Sequence, residues 1–152
     1  MKPSRITGVV FAAGFVWVAA GASALADAGP EAAEPLALRS IMRDLGKRME
    51  TVTHGIAHED WELVEETARL IAEHPKPPLL EKTRILGFVG TDLGKFKAHD
   101  EDTHQAARAL EEAAVRRDGQ RAIAAFANLQ NSCLACHQAF RKPFVEHFYG
   151  QR

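Results

Sequence analysis

The sequence predicts an all-α fold, an antiparallel four-helix bundle with a long crossover between the second and third helices. Apolar residues recur at helical spacing through most of the chain, and aspartates stand where helices would begin. No stretch shows the alternation of apolar and polar residues that is typical of β-strands. Residues 27–152 suffice for one domain with a single core, so we expect one bundle.

The first predicted helix carries a continuous apolar stripe. Its members are Leu38, Ile41, Met42, Leu45, Met49, Val52 and Ile56. We expect Gly55 to close this helix and Asp60 to cap the second. The second helix is short and ends at His74 and Pro75.

The crossover, residues 75–91, contains three prolines and two glycines. Because these residues disfavour regular structure, we expect an irregular segment whose apolar side chains pack against the bundle.

The last two helices are separated by a predicted tight turn. Asp92 is expected to open the third helix, and Asp118 with Gly119 to lead into the fourth. The predicted inner face of the fourth helix comprises Ile123, Phe126, Gln130, Leu134, His137 and Phe140. Pro143 is expected to break or kink this helix, after which residues 144–149 fold back as an apolar tail.

The N-terminus has the pattern of a secretory signal peptide. Lys2 and Arg5 precede a charge-free apolar run over about residues 8–25, and Ala24-Leu25-Ala26 is a small-x-small cleavage site. We therefore expect removal of residues 1–26, a mature domain of residues 27–152, and a periplasmic location. The alternative is an uncleaved membrane anchor, which the glycines and alanines of the run disfavour.

The strongest motif lies near the C-terminus, where Cys133, Cys136 and His137 have the CxxCH spacing that attaches a c-type haem. Two thiols three positions apart on a helix share one face, so both can bond to vinyl groups along one edge of a porphyrin. The adjacent His137 offers an imidazole to the iron. These are the only two cysteines, so the sequence predicts one covalent haem c near the C-terminus.

Redox disulfides and zinc sites also use CxxC. A thioredoxin-like pair belongs at the N-terminus of a helix after a strand, whereas these cysteines lie well inside a predicted helix. A zinc site needs two more ligands, and there is no second cysteine pair. The remaining alternative is a haem-free helical binding module with a CxxC disulfide, which predicts a colourless protein.

The start of the first helix is expected to provide the second ligand of the iron. In an up-and-down bundle, the C-terminal end of the fourth helix lies beside the N-terminal end of the first. At about 1.5 Å per residue, Met42 lies at a similar depth to His137, and Met49 lies two turns deeper. Methionine is also a common core residue, so packing alone is the alternative role of Met42.

With these features the chain resembles the class II c-type cytochromes over roughly residues 35–142. The resemblance rests on a CxxCH close to the end of an all-helical chain, continued by Phe140 and Arg141, and on residues 41–49. The latter stretch is similar to the low-spin, methionine-ligated branch. The resemblance implies thioether bonds at Cys133 and Cys136.

The same resemblance implies His137 as the proximal ligand and Met42 as the distal ligand of the iron. Arg141 would then approach the proximal face or a haem propionate, and its alternative role is a solvated base at the helix end.

A haem ligated by histidine and methionine implies a one-electron carrier. The alternative is a five-coordinate, high-spin cytochrome c′ that binds nitric oxide or carbon monoxide. Ile41, Leu45, Phe96 and Phe126 are candidates to line its apolar pocket. The sequence contains no nucleophile motif, phosphate-binding loop or convincing carboxylate pair, so we do not expect an enzyme.

Charge restricts the other partners. A formal net charge of −1 without a basic cluster argues against nucleic acid. We expect redox partner proteins of unidentified kind, and contact with a membrane only if the signal peptide is retained. The resemblance adds a candidate homodimer formed through the first helix.

The other histidines give weaker signals. His54 and His58 have a spacing that can bind a metal, but Gly55 between them and their place at a helix end favour a solvated turn. His99 and His104 lie among acidic residues, which predicts an exposed polar face.

Overall fold

The structure, a computed structural model, describes residues 36–150, which belong to one compact unit. Its helices are α1 (Ala37–Ala57), α2 (Trp61–Ala72), α3 (Leu79–Val89), α4 (Leu93–Val115), α5 (Gly119–Cys136) and α6 (Lys142–Tyr149). A 3₁₀ turn (Gly90–Asp92) precedes α4, and a π turn (His137–Arg141) joins α5 to α6. Within residues 36–150 there is no β-strand. The predicted signal peptide, residues 1–26, lies outside the described residues.

The four longest helices form the bundle, since α1 packs on α2, α2 on α4, and α4 on α5. Their buried side chains make one continuous apolar cluster, which we call the main core. Its members are Val52, Val64, Ala68, Ile71, Ala72, Ala107, Leu110, Ala113, Ala114, Ala122, Ala125 and Leu129. The predicted all-α four-helix bundle is confirmed, and so is the long connection between its second and third helices, α2 and α4.

Both short corners of the bundle are built as Schellman motifs. In each, an aspartate amide, of Asp60 or Asp118, donates to the carbonyl five residues earlier. The residue before it, Glu59 or Arg117, has a φ of 54° or 53°. A left-handed conformation costs a side-chain-bearing residue about 1–2 kcal/mol, so the helix-ending hydrogen bonds and the packing of the next helix must offset it.

The same two aspartates begin the next helices. The side chain of Asp60 accepts from the Leu63 amide and that of Asp118 from the Arg121 amide, each at 3.1 Å. Each bond satisfies one of the free amides of a helix N-terminus. The predicted starts of the second and fourth helices are therefore confirmed.

Gly55 lies inside the last turn of α1, where α1 and α2 approach most closely. A Cβ placed on Gly55 would stand 2.7 Å from Cγ2 of Val64, which is fully buried. Gly46, on the same helix, is exposed, and a Cβ placed there would meet nothing within 4 Å. The two glycines therefore have different roles. Gly55 permits the close contact between α1 and α2, whereas Gly46 takes part in no such contact among the described helices.

The pair allows a matched test of the α1–α2 contact. Gly55→Ala is expected to lower the free energy of unfolding by about 1–3 kcal/mol, because the stiff Val64 side chain must move within a packed core. Gly46→Ala is expected to raise it by up to about 1 kcal/mol, since alanine favours helix more than glycine does. Urea unfolding of both variants measures this, and an equal effect at the two positions would contradict the close packing.

The prediction of an irregular crossover is wrong, because residues 79–89 form the regular helix α3. The prolines stand before this helix, with Pro78 at its N-cap, where a missing amide costs nothing. Ile85 and Val89 are buried against Phe140, and this long-range packing outweighs the low helix preference of Gly87. Leu79 and Leu80 remain exposed.

The crossover helix also fixes the start of α1. The Glu81 carboxylate of α3 accepts from the amides of Ala37 and Leu38, at 2.6 and 2.8 Å. The N-cap residue of α1, Leu36, has no side chain that can cap these amides. A residue 43 or more positions away in the sequence therefore supplies both the hydrogen bonds and the negative charge that a helix N-terminus favours.

The prediction that the chain folds back after Pro143 is also wrong. The chain stays helical from Gly119 to Tyr149, and Pro143 lies in the first turn of α6. Proline removes one backbone donor and crowds the preceding turn, and the π turn directly before it provides the wider geometry. The aromatic side chains of α6 pack on α3, where Phe144 and Phe148 lie 5.6 and 5.5 Å from the ring of Phe88.

The inner face predicted for the fourth helix is correct only in part. Phe140 is buried and Phe126 is half-buried, but Ile123, Gln130, Leu134 and His137 are exposed. The buried residues of α5 are Ala122, Ala125 and Leu129. The helix carries two adjacent apolar stripes, and close packing against α4 selects the one that is rich in alanine.

Candidate functional site

Cys133 and Cys136, the only cysteines of the sequence, are free, half-buried thiols in the last turns of α5. Cys133 packs against the main core. Cys136 packs against a second apolar cluster, the C-terminal cluster, formed by Ile85, Val89 and Phe140. The motif therefore lies where the bundle meets α3 and α6.

Both thiols are held in the protonated form. Burial raises the pKa of Cys133, and at Cys136 burial is joined by the negative charge of Asp100. The pair also lies at the C-terminal end of α5, where the helix dipole does not stabilise a thiolate. A reactive thioredoxin-like cysteine needs a lowered pKa, so this environment disfavours redox disulfide chemistry.

The environment also disfavours a zinc site at the cysteines. In the described part of the chain, three metal-ligating side chains come together in one group only, His74, Asp100 and His104, and neither cysteine belongs to it. Two thiolates alone do not complete a structural zinc site.

His137 begins the π turn, and its side chain is exposed. Partial burial and the positive charge of Arg141, one turn later, lower the pKa of His137. The neutral imidazole, which is the form that binds iron, is therefore favoured at neutral pH.

A groove of about 750 Å³ runs along this exposed face of the C-terminal helices. It is lined by Leu134, His137, Gln138, Arg141, Lys142, Val145, Glu146 and Gly150. The exposed Leu134 and Val145 lie beside the bases Arg141 and Lys142. Glu146 lies 4.0 Å from Lys142, so the groove combines an apolar surface with the positive charge of Arg141, unpaired within residues 36–150, beside the imidazole of His137.

Met42 lies near the start of α1, and 40% of its side chain is exposed. Leu38, one turn earlier, packs against the C-terminal cluster, as does Cys136. The start of α1 therefore lies at the same end of the bundle as the CxxCH motif. Met49 packs against the main core, so of the two methionines within residues 36–150 it is Met42 that lies outside both clusters.

The structure does not gather the predicted gas-pocket residues into one cluster. Leu45 and Phe126 pack against the main core, whereas Phe96 packs against the C-terminal cluster, 5.3 Å from the ring of Phe140. Ile41 is buried.

Sequence reasoning missed His99. Its ring stands 6.1 Å from that of Phe140, and its Nε2 is buried without a hydrogen-bond partner among the described residues. The prediction of an exposed polar face at His99 and His104 is wrong for both, since His99 is half-buried and the side chain of His104 is 15% exposed. The sequence feature that could have indicated the partial burial of His99 is its position three residues after Phe96, on the same helix face.

These observations fit a haem at this end of the bundle. The two thiols and an imidazole are the donor set for covalent attachment and axial ligation. The exposed Leu134 and Met42 offer apolar surface, and the unpaired Nε2 of His99 and the base Arg141 offer partners for polar groups.

An all-helical bundle with CxxCH at the end of its last long helix defines a class of covalent haem proteins. Residues 37–141 match the family model described as cytochrome C′. The chain therefore belongs to the cytochrome c′ family, and it binds one covalent haem c. The match does not distinguish the methionine-ligated branch.

Comparison of the chain with curated proteins and with solved structures gave no match. Among the described helices, none is both long enough and apolar enough to cross a membrane.

Proposed function

We propose that the protein is a one-electron carrier whose haem iron is ligated by His137 and Met42. The observation that carries the proposal is the position of Met42, an exposed thioether at the same end of the bundle as the CxxCH motif. Met42 belongs to neither apolar cluster, in contrast to Met49, which packs against the main core, so its thioether is available as a ligand.

Each residue of the site has a distinct role in this proposal. Cys133 and Cys136 form the thioether bonds, and their positions against two different clusters hold the haem at the junction of the bundle with α3. His137, in its neutral form, and Met42 would hold the iron. Arg141 lowers the pKa of His137 and offers a positive charge to a propionate. The bound haem supplies the reversible change between ferric and ferrous iron.

The proposed location is the periplasm, with residues 1–26 acting as a cleaved signal peptide. The N-terminal leader supports this location, since it has two basic residues, an apolar run and a small-x-small site. The CxxCH motif stands in the same chain. Redox partner proteins would exchange electrons with the bound haem. A homodimer through α1 is proposed from the family resemblance.

The oxidised holoprotein tests the proposed ligation. A low-spin spectrum with a methionine-to-ferric charge-transfer band, together with a reversible redox titration that fits one electron, is expected for an iron bound by His137 and Met42. A high-spin ferric spectrum without that band would overturn the proposal.

That second result would favour the other function of the family, a five-coordinate haem that binds nitric oxide or carbon monoxide. The exposure of Met42 allows this alternative, since a side chain that is free to ligate is also free to point away from the iron. In that case, Met42 would leave the distal face open to a gaseous ligand.

A further inference from the structure

Three potential metal ligands that do not belong to the CxxCH motif converge where the end of α2 meets the middle of α4. Nε2 of His74 lies 3.6 Å from one carboxylate oxygen of Asp100, and Nε2 of His104 lies 3.5 Å from the other. The three donor atoms all lie within 4.8 Å of one another. His74 follows α2, and Asp100 and His104 are one turn apart on α4.

The backbone fixes the orientation of both imidazoles. Nδ1 of His74 lies 3.1 Å from the carbonyl oxygen of Pro75, and Nδ1 of His104 is hydrogen bonded to the carbonyl of Ala72. A carbonyl only accepts, so each Nδ1 carries the proton that it donates. Each Nε2 is then directed at Asp100, and this is the arrangement in which a second hydrogen bond orients a metal-binding histidine.

Two neutral imidazoles in this tautomer would turn two lone pairs towards a carboxylate. This arrangement is unfavourable unless a positive charge lies between them. The carboxylate of Asp100 lies 3.6 and 3.5 Å from the two Nε2 atoms, so its negative charge favours a cation at this point. A proton satisfies one imidazole, whereas a divalent metal ion satisfies both.

We propose that His74, Asp100 and His104 form a second metal site, which takes a borderline divalent transition-metal ion such as Zn²⁺. Two imidazole nitrogens and one carboxylate oxygen are the donors that such ions prefer. The histidine side chains are 9% and 15% exposed, and that of Asp100 is 49% exposed. The site is therefore built from two largely covered imidazoles and one half-exposed carboxylate, and water can occupy a fourth position.

The required adjustment is small. Zinc bonds of about 2.0–2.1 Å place neighbouring ligands of a tetrahedral site about 3.3 Å apart. The two nitrogen-to-oxygen distances are already close to this value. The two imidazole rings are stacked, with centroids 4.9 Å apart, and must tilt so that their Nε2 atoms approach each other.

Nearby charge opposes the ion only weakly. The positive charge of Arg48 lies near His74, and that of Lys76 lies near Asp100. Lys76 is exposed and Arg48 is half-buried, so solvent and salt screen both charges.

Isothermal titration calorimetry tests the proposal, with zinc chloride added at neutral pH to holoprotein from which a chelator has removed bound metal ions. We expect one zinc ion per chain, and at least about tenfold weaker binding in Asp100→Asn and in His104→Gln. The matched control is His54→Gln, because His54 and His58 are a second pair of neighbouring histidines, with ring centroids 4.1 Å apart, and both are exposed. This control is expected to bind zinc as the wild type does.

Two results would overturn the proposal. One is a wild-type holoprotein that binds no zinc, which needs no variant for its interpretation. The other is zinc binding that persists in Asp100→Asn and disappears in His54→Gln. Far-ultraviolet circular dichroism of each variant shows whether the helical fold is retained.

Discussion

Met42→Ala is expected to convert a six-coordinate, low-spin haem into a five-coordinate, high-spin one. Alanine has no atom that can ligate iron, and the exposed position of Met42 means that its loss leaves little cavity in the core. The variant should lose the methionine-to-ferric charge-transfer band and acquire a carbon monoxide-sensitive ferrous spectrum. Its reduction potential should fall, because thioether ligation favours ferrous iron.

Met49→Leu is the matched control, since Met49 lies two turns further along α1 and packs against the main core. A swap of similar volume should leave the spectrum unchanged and cost less than about 1.5 kcal/mol of stability. An unchanged low-spin spectrum in Met42→Ala, or its loss in Met49→Leu, would remove Met42 as the distal ligand.

The double variant Cys133→Ala, Cys136→Ala is expected to abolish covalent attachment of haem. No other cysteine exists to form a thioether bond, so denaturing mass spectrometry should give the mass of the polypeptide alone. Each single variant should retain one thioether bond. Because Cys133 packs against the main core, Cys133→Ala should also reduce stability more than a surface change does.

Ser132→Ala controls for disturbance of the helix beside the motif. The Ser132 hydroxyl donates to the Leu129 carbonyl and accepts from Thr103, so its loss removes two hydrogen bonds while both thiols remain in the chain. This variant should keep full covalent haem. A double cysteine variant that still carried haem through denaturation would show that attachment occurs elsewhere.

Local signals in the sequence were sufficient for the architecture of the bundle. The apolar stripe of α1, the cap at Asp60 and the turn at Asp118 depend on residues within one or two turns. The cap and the turn are confirmed, and in the stripe only Met42 is exposed. Helical periodicity and helix caps are short-range properties, so a single sequence contains them.

The errors lie where distant residues determine local structure. α3 forms in spite of Gly87 because Ile85 and Val89 pack against Phe140, more than fifty residues away in the sequence. Glu81 caps α1 from the crossover, and no pattern near Leu36 indicates such a partner. Tertiary packing overrides local preference in both cases.

The functional residues also divide into those with a local signal in the sequence and those that only tertiary packing brings together. Cys133, Cys136 and His137 lie within five consecutive residues, so their spacing alone indicated the haem. His74 and Asp100 are joined only by the packing of α2 on α4, and periodicity could not place them together. The position of His99 beside Phe140 likewise depends on the contact between α4 and the π turn.

The response of the reduced wild-type holoprotein to carbon monoxide tests the central claim most directly. If His137 and Met42 both ligate the iron, no coordination position is open, and the ferrous spectrum should not change when carbon monoxide is added. A rapid shift to a carbon monoxide-bound spectrum would contradict the six-coordinate carrier and identify a haem with an open distal face.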